Sequence, residues 1–256
     1  MITASQIEQF INEGYIKIEQ AVPPSICSEI VDILWKDLGV DRNDRSTWTK
    51  PVIRLWFYDQ DPFNKAVNMP VLTDAYDKLV GAGNWIPRSS IGTFPVRFPS
   101  ADDPGDTGWH VDSSFPGDDV NDFSKWRINV FSKGRALLML FLFSDIGDAD
   151  APTRIRAGSH IDVAKALAPF GENGLGFMEI AQKLDSFPAR DEILATGKAG
   201  TVYLCHPFLV HAAQPHSGVN PRFLAQPSLE LMEPFSFSGN LDAAPPVEKA
   251  IRLALS

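Results

Sequence analysis

Trp109-His110-Val111-Asp112-Ser113 is the stretch on which the reading of this chain turns. On an extended strand, residues i and i+2 point to the same face. His110 and Asp112 are therefore expected side by side, with Val111 facing the other way. An imidazole and a carboxylate so placed are two ligands of a 2-His-1-carboxylate facial triad, which holds non-haem Fe(II) and leaves coordination positions open. The third ligand is expected from a histidine far downstream on a neighbouring strand, and Cys205-His206-Pro207-Phe208-Leu209-Val210-His211 supplies one. An isolated His-x-Asp is ordinary surface polarity. Here it stands between Trp109 and the small polar pair Ser113-Ser114, directly after a Gly-containing loop.

His211 is the preferred third ligand because Arg222 follows it at hairpin distance, with Gln214 to Pro221 between them to turn the chain back. On adjacent antiparallel strands the two would face one cavity. An arginine beside an iron site has a chemical use, since its fork pairs with the carboxylate of a keto acid. His206 is the rival ligand, but Pro207 disturbs the strand there. His216 falls in a turn and is expected to be exposed. His160 stands at a helix start, where fixing a loop is its expected role.

Outward from this centre, Ser5 to Glu13 has helical spacing (Ile7, Phe10, Ile11) and Gly14 at its stop. Tyr15 to Ile18 alternates as a short strand, and Pro23-Pro24-Ser25 opens a second helix carrying Ile26, Ile30, Ile33 and Leu34 on one face. Val52 to Tyr58 and Ile91 to Pro99 are strand-like, and Val71 to Val80 is helical. The loop Ser100 to Thr107 is rich in Asp, Pro and Gly, as loops bordering sites often are. The apolar run Ala136 to Phe143 fits a strand buried on both faces. Ser159 and Asp162 resemble a capping box before a helix over Ile161 to Leu167. Gly171 to Leu194 is ambiguous. Gly200 to Cys205 and Arg222 to Ala225 are strands, and Val247 to Leu255 is a terminal helix. Helices first, then many short strands with turns between them, imply one α+β domain, mainly β, over residues 1–256, its sheets forming a sandwich or open barrel.

Composition narrows the function. The chain has 23 basic and 32 acidic residues, a net charge of −9, which disfavours wrapping a nucleic-acid backbone. Two cysteines, Cys27 and Cys205, form neither a disulfide framework nor a zinc ribbon and fit a reducing, cytoplasmic setting. Residues from Met1 to Gln6 show no secretory signal, and the longest apolar run is too short to span a bilayer, so no membrane partner is expected.

The motifs, in this order, resemble those of the phytanoyl-CoA dioxygenase family of Fe(II)/2-oxoglutarate oxygenases. Phe10 to Ile16 looks like that family's helix-to-strand entry, and Trp109 to Asp112 like its iron strand. Gly158-Ser159-His160 looks like its Gly-Ser-His loop, and Gly200 through His211 to Arg222 like its closing hairpin. The resemblance implies a double-stranded β-helix, a cupin-like jelly roll with helices packed on the outer face. It implies His110, Asp112 and His211 as Fe(II) ligands, and Arg222 on the distal carboxylate of 2-oxoglutarate. Arg97 is implied as a second polar contact to that co-substrate. The implied reaction consumes O2 and 2-oxoglutarate, releases succinate and CO2, and hydroxylates a C–H bond; desaturation or cyclisation are its variants. Related halogenases lack the carboxylate ligand, so Asp112 favours hydroxylation. Two departures stand out. Ala213 replaces a hydroxyl residue common in relatives and removes one expected hydrogen bond to 2-oxoglutarate, and Ala157 replaces a proline.

Two other readings remain open from the sequence: a cupin-like hydrolase or isomerase using the same triad with Zn(II), and a non-catalytic ligand-binding relative. Arg222 separates the first of these, because a hydrolase has no need of a keto-acid clamp. The acidic chain shows no basic groove for coenzyme A phosphates, so the expected substrate is a small metabolite. Arg54, Arg127, Arg135, Arg154 and Arg156 lie in segments that border the expected pocket, where a surface ion pair is the usual role of an arginine.

Overall fold

A computed structural model describes all residues, Met1 to Ser256. In chain order the helices are α1 (Ala4–Glu13), α2 (Pro24–Asp37), α3 (Asp61–Val67), α4 (Pro70–Val80), α5 (Ser159–Leu167), α6 (Phe177–Ala181) and α7 (Pro246–Leu255). The strands are β1 (Tyr15–Ile18), β2 (Val52–Leu55), β3 (Trp85–Ile86), β4 (Phe94–Arg97), β5 (Arg127–Ile128), β6 (Leu137–Leu142) and β7 (Arg154–Arg156). They continue with β8 (Leu175–Gly176), β9 (Glu192–Leu194), β10 (Val202–Cys205), β11 (His211–Ala212), β12 (Leu224–Ala225) and β13 (Ser228–Leu231).

The architecture is built on β6. Every residue of this strand is buried. It pairs antiparallel with β10 on one edge and with β12 and β13 on the other. The main sheet runs β1-β10-β6-β13-β3, and smaller antiparallel sheets run β11-β7-β9, β2-β4 and β5-β8. The pleat of β6 sorts its side chains between two cores. Leu137, Met139 and Phe141 join the larger cluster, which takes in Phe10 of α1, Ile30 and Leu34 of α2, Leu79 of α4 and Ile251 of α7. Leu138, Leu140 and Leu142 join a smaller cluster with Ile155 of β7 and Ala195 after β9. The sheet thus lies between a helical layer and a second sheet, and a strand buried on both faces needs the uninterrupted apolar run that the sequence shows. No helix is long and apolar enough to cross a membrane.

The helices follow local rules. Thr3 and Gln6 form a capping box at the start of α1, and Gly14 ends it at φ +83°, a conformation that a Cβ would penalise. A side chain at Gly14 would also meet His160 and Leu209. The expected capping box of α5 is absent. Gly158 caps that helix at φ +79°, without a side-chain bond. Ser159 Oγ instead accepts from the backbone N–H of Val210 at 2.9 Å, and the Asp162 carboxylate takes the Arg190 guanidinium at 2.8 and 2.9 Å. Tertiary partners claim both side chains. Helix α3, unmarked in the sequence reading, is a seven-residue helix opened by Pro62, with Phe63, Ala66 and Val67 buried.

Two histidines lock the helical layer to the sheet. The His160 ring bonds through Nε2 to the Ile11 carbonyl at 3.0 Å, and that of His206 to the Val247 carbonyl at 3.2 Å; the two rings lie 4.8 Å apart. Burial pushes His160 down to about 4 and His206 well below its ordinary value, the latter helped by the neighbouring His160. Both are neutral when folded, whereas in the unfolded chain they take up protons near the ordinary histidine value. The folded state therefore binds fewer protons below about pH 6.5, and stability falls as pH falls through that value. Each ring is expected to cost about 1.4 kcal/mol per pH unit below that point until its folded value is reached. Urea unfolding between about pH 7.5 and about pH 5.5 measures this. A flat profile over that range would mean that the rings are not held neutral.

Candidate functional site

His110 and His211 meet through their own backbones. His110 N–H donates to the His211 carbonyl and His211 N–H to the His110 carbonyl, both at 3.0 Å. Residues exchanging both bonds across an antiparallel pair project their side chains together, and the ring centroids are 4.4 Å apart. On its other edge β11 is held by β7, with His211 opposite Ile155. The Ser159 bond to Val210 N–H fixes the residue just before the ligand position. Each imidazole is also oriented by its own Nδ1, which lies 2.9 Å from the Gly108 carbonyl in His110 and 3.0 Å from the Leu209 carbonyl in His211. Nδ1–H donates in each case. Both Nε2 lone pairs are thereby left for the site.

Asp112 arrives differently from the sequence expectation. Only His110 pairs as a bridge, and the residues from Val111 to Ser114 form no strand, so the pleat does not aim the carboxylate. Arg135 does. Its Nη1 donates to Asp112 Oδ2 at 2.7 Å and its Nη2 to the Ser113 carbonyl at 3.1 Å. The other oxygen, Oδ1, lies 3.6 Å from His110 Nε2 and 3.8 Å from His211 Nε2. The three ligand atoms fall within 4.8 Å of one another. Burial by itself would raise the Asp112 carboxyl, but Arg135, His211 and His110 together hold it well below the usual carboxylate range. Burial, then the His110 neighbour, lowers His211 to about 4. Two imidazoles and an ionised carboxylate with converging lone pairs are the donor set that suits a divalent transition metal.

Beside this triad is a cavity of about 280 Å³ whose walls include His110, His211, Ala213, Thr153, Arg97 and Arg222. The expected hairpin pairing of His211 with Arg222 does not occur. Arg222 pairs instead with Arg97, exchanging backbone hydrogen bonds of 3.1 and 2.8 Å. The segment between the histidine and Arg222 spans two different pairings, and the cavity, not a ladder, brings the two side chains together. Both guanidiniums are 1% exposed. Arg97 Nη2 donates to Asp106 Oδ1 at 2.6 Å, and Arg54 pairs with the same carboxylate. Arg222 donates to the carbonyls of Ala151 and Pro95. Arg97 Nε and Nη1 and Arg222 Nε have no partner although buried. Burial, then the adjacent Arg97 charge, lowers Arg222 to about 9, against the pull of Asp106. Three guanidiniums face one carboxylate, an excess of two positive charges with unspent donors. Buried donors without acceptors are costly, and a small dianion such as a dicarboxylate removes that cost.

The other histidines are accounted for by carbonyl contacts. His206, the rival ligand, accepts from Phe208 N–H at Nδ1 and lies against Val247, away from the triad. His216, expected to be exposed, is buried: its Nε2 lies 2.8 Å from the Asn220 carbonyl and its Nδ1 accepts from Gly218 N–H. It holds the turn together internally. The arginines expected to border the pocket divide. Arg154 and Arg156 both sit over the Trp109 ring, at 4.5 and 4.3 Å, and brace the residue before His110. Arg127 bonds the carbonyls of Asn173 and Gly174. The sequence reading left two residues without their roles. Arg135 stood among five undistinguished arginines, and Asp106 among the acids of a polar loop where spacing offers no signal to single it out.

No family model and no curated protein matches the chain. Solved structures do. HygX from Streptomyces hygroscopicus, with nickel, 2-oxoglutarate and hygromycin B bound, superposes with a TM-score of 0.54 at 16% identity, over 92% of this chain and 88% of that one. The alpha-ketoglutarate-dependent epimerase SnoN from nogalamycin biosynthesis gives 0.54 at 13% identity, over 90% and 81%. GlcNAc Inducible Gene 2, a DUF1479 protein of Candida albicans, gives 0.61 at 13% identity; the match covers 91% of this chain and 64% of the Candida protein. At such identities the likeness is one of fold.

The Arg135 contact carries a consequence for metal affinity. In Arg135→Met, Asp112 loses the donor that fixes Oδ2, and Mn(II) or Fe(II) binding is expected to weaken by about 10- to 100-fold. Competition against a fluorescent chelator reads this directly. An unchanged affinity would mean that Asp112 is held by something other than Arg135.

Proposed function

We propose that this chain is a non-haem Fe(II)/2-oxoglutarate-dependent dioxygenase that hydroxylates an unactivated C–H bond of a small metabolite, with release of succinate and CO2. His110, Asp112 and His211 are the iron ligands. Arg222 and Arg97 bind 2-oxoglutarate. The fold is a cupin-like jelly roll forming one domain over residues 1–256, of the kind found in the phytanoyl-CoA dioxygenase family that the sequence resembles. The observation that carries the reading is the adjacency of the triad to two fully buried guanidiniums with unspent donors. Iron and 2-oxoglutarate are each bound in HygX structures, which supports it.

Iron(II) with bound 2-oxoglutarate and O2 supplies an oxidant able to cleave a C–H bond. The chain supplies the geometry. Nδ1–H donation to Gly108 and Leu209 aims both imidazoles, with Nε2 turned toward the site. Arg135 takes one Asp112 oxygen and so leaves a single oxygen for the ligand role. The excess positive charge around Arg97 and Arg222 orients the co-substrate by its carboxylates. Arg54 and Asp106 hold Arg97 in place. Thr153 and Thr93 line the same cavity as Ala213, which has no hydroxyl to offer. A hydrolase or isomerase with Zn(II) would leave the two arginines with no anion to bind. A non-catalytic relative would need neither the triad nor the clamp.

Anaerobic addition of Fe(II) and 2-oxoglutarate to the apo-protein tests this. A visible charge-transfer band of a chelated keto acid is expected in wild type, absent in His211→Ala. In Arg222→Ala the band is expected to need at least about tenfold more 2-oxoglutarate, the loss of a charge-assisted contact. Metal binding without a band in wild type would sink the reading.

A further inference from the structure

A second cavity, of about 700 Å³, is lined by Asp112 and shares Thr93 and Gln226 with the first. Its walls are unusual for a surface. Phe57, Phe115, Phe123, Trp126 and Phe177 contribute rings, and Phe57 and Phe123 are 67% and 71% exposed. Exposed phenylalanines gathered around one opening mark a contact surface for an apolar partner or ligand. The Phe123 and Trp126 rings lie 4.7 Å apart, and Phe177 reaches to 5.9 Å from the His110 ring, so the aromatic wall runs from solvent to the triad.

The cavity is also cationic. Arg88, Lys133 and Arg135 face Asp112 and Glu230. Arg135 is committed to Asp112, and Arg88 faces Glu230 at 3.7 Å. Lys133 remains. Its ammonium sits 4.9 Å over the Phe115 ring and meets no carboxylate. Of the other lining residues, the Ser113 hydroxyl and Arg135 Nε are buried without partners. One unmatched cation and unspent donors in a cavity walled by rings suit a single negative charge attached to a flat body.

We propose that this cavity is the substrate chamber and that the substrate is a small molecule with an aromatic or otherwise planar unsaturated body and one carboxylate. Lys133 receives the carboxylate, and the rings of Phe57, Phe115 and Trp126 clasp the body. The far end then lies toward His110 and Asp112, where the C–H bond would be oxidised. One unmatched cation selects a monoanion over a dianionic phosphate. The inference rests on the oxygenase reading for the direction in which the substrate points.

The test uses matched probes: benzoate, 2-naphthoate and indole-3-acetate, each against the primary alcohol of the same skeleton. Binding is measured by calorimetry on the anaerobic protein with Fe(II) and saturating 2-oxoglutarate, which fills the arginine cavity and keeps the acids out of it. The visible band is followed in the same samples. At least one acid is expected to bind about tenfold or more tighter than its alcohol, the effect of one charge-assisted contact, and to shift the band. Lys133→Met, an exposed position, is expected to abolish that preference and leave alcohol binding unchanged. Phe57→Ala, also exposed, is expected to weaken acid and alcohol alike. The proposal is wrong if acids and alcohols bind equally, if none of the acids binds at millimolar concentration, or if Lys133→Met keeps the preference. A missing band with normal acid preference would instead fault the iron and 2-oxoglutarate reading and leave the anion site standing.

Discussion

Two reciprocal backbone pairings hold the site together: His110 with His211, and Arg97 with Arg222. Each joins segments far apart in sequence, and each places two functional side chains on one wall. Backbone bonds exchanged in both directions put the paired residues' Cβ atoms on the same face, so that imidazole lies beside imidazole, and hydrogen bonds to Asp106, Ala151 and Pro95 then hold the two arginines. Everything else around the site adjusts what these pairings place. Carbonyls set the histidine tautomers, Ser159 positions the chain before His211, and Asp106 restrains Arg97.

The charges of the site are arranged by the same logic. Two guanidiniums side by side in a buried wall repel each other and leave three of their nitrogens without acceptors, a costly arrangement that an incoming anion relieves. Asp112 is the opposite case. It is surrounded by Arg135 and two imidazoles, which keep it ionised although partly enclosed. The molecule thus surrounds the triad's one carboxylate with cationic and imidazole groups and leaves a demand for anions in the arginine wall. Arg135 stands where the Asp112 carboxylate meets the aromatic cavity, bonded to the one and lining the other.

Support for the site comes from the rigid layers beneath it. The main sheet is packed on both faces, by helices on one and by the β11-β7-β9 sheet on the other. His211 therefore stands on a short strand braced from behind by Ile155 and from the side by His110. Trp109, held by cation–π contacts to Arg154 and Arg156, plays the same part for the loop that carries His110. A ligand set on such supports changes position little when the loops around it move.

Elements whose signal is local could be read directly from the sequence. The run Ala136 to Phe143 shows a strand buried on both faces because burial on both faces removes alternation. Spacing at i, i+3 and i+4 marks α1, α2 and α4 because one stripe of each must meet the core. The residue types of the triad and of Arg222 are equally visible, since their chemistry depends on composition and not on packing. What failed was whatever depends on a partner elsewhere in the fold. The capping box at Ser159 and Asp162 yielded to Val210 and Arg190, because a distant donor outbid the helix end. Helix α3 is too short for periodicity to show. The extended strand imagined for His110 and Asp112 is a single bridge, and the hairpin between His211 and Arg222 is two separate pairings. The turn histidine His216 is buried. The sequence by itself determined which groups the chain has available for chemistry. Only the tertiary structure decided which of them face one another, because backbone pairing between distant segments, not spacing along the chain, sets those distances.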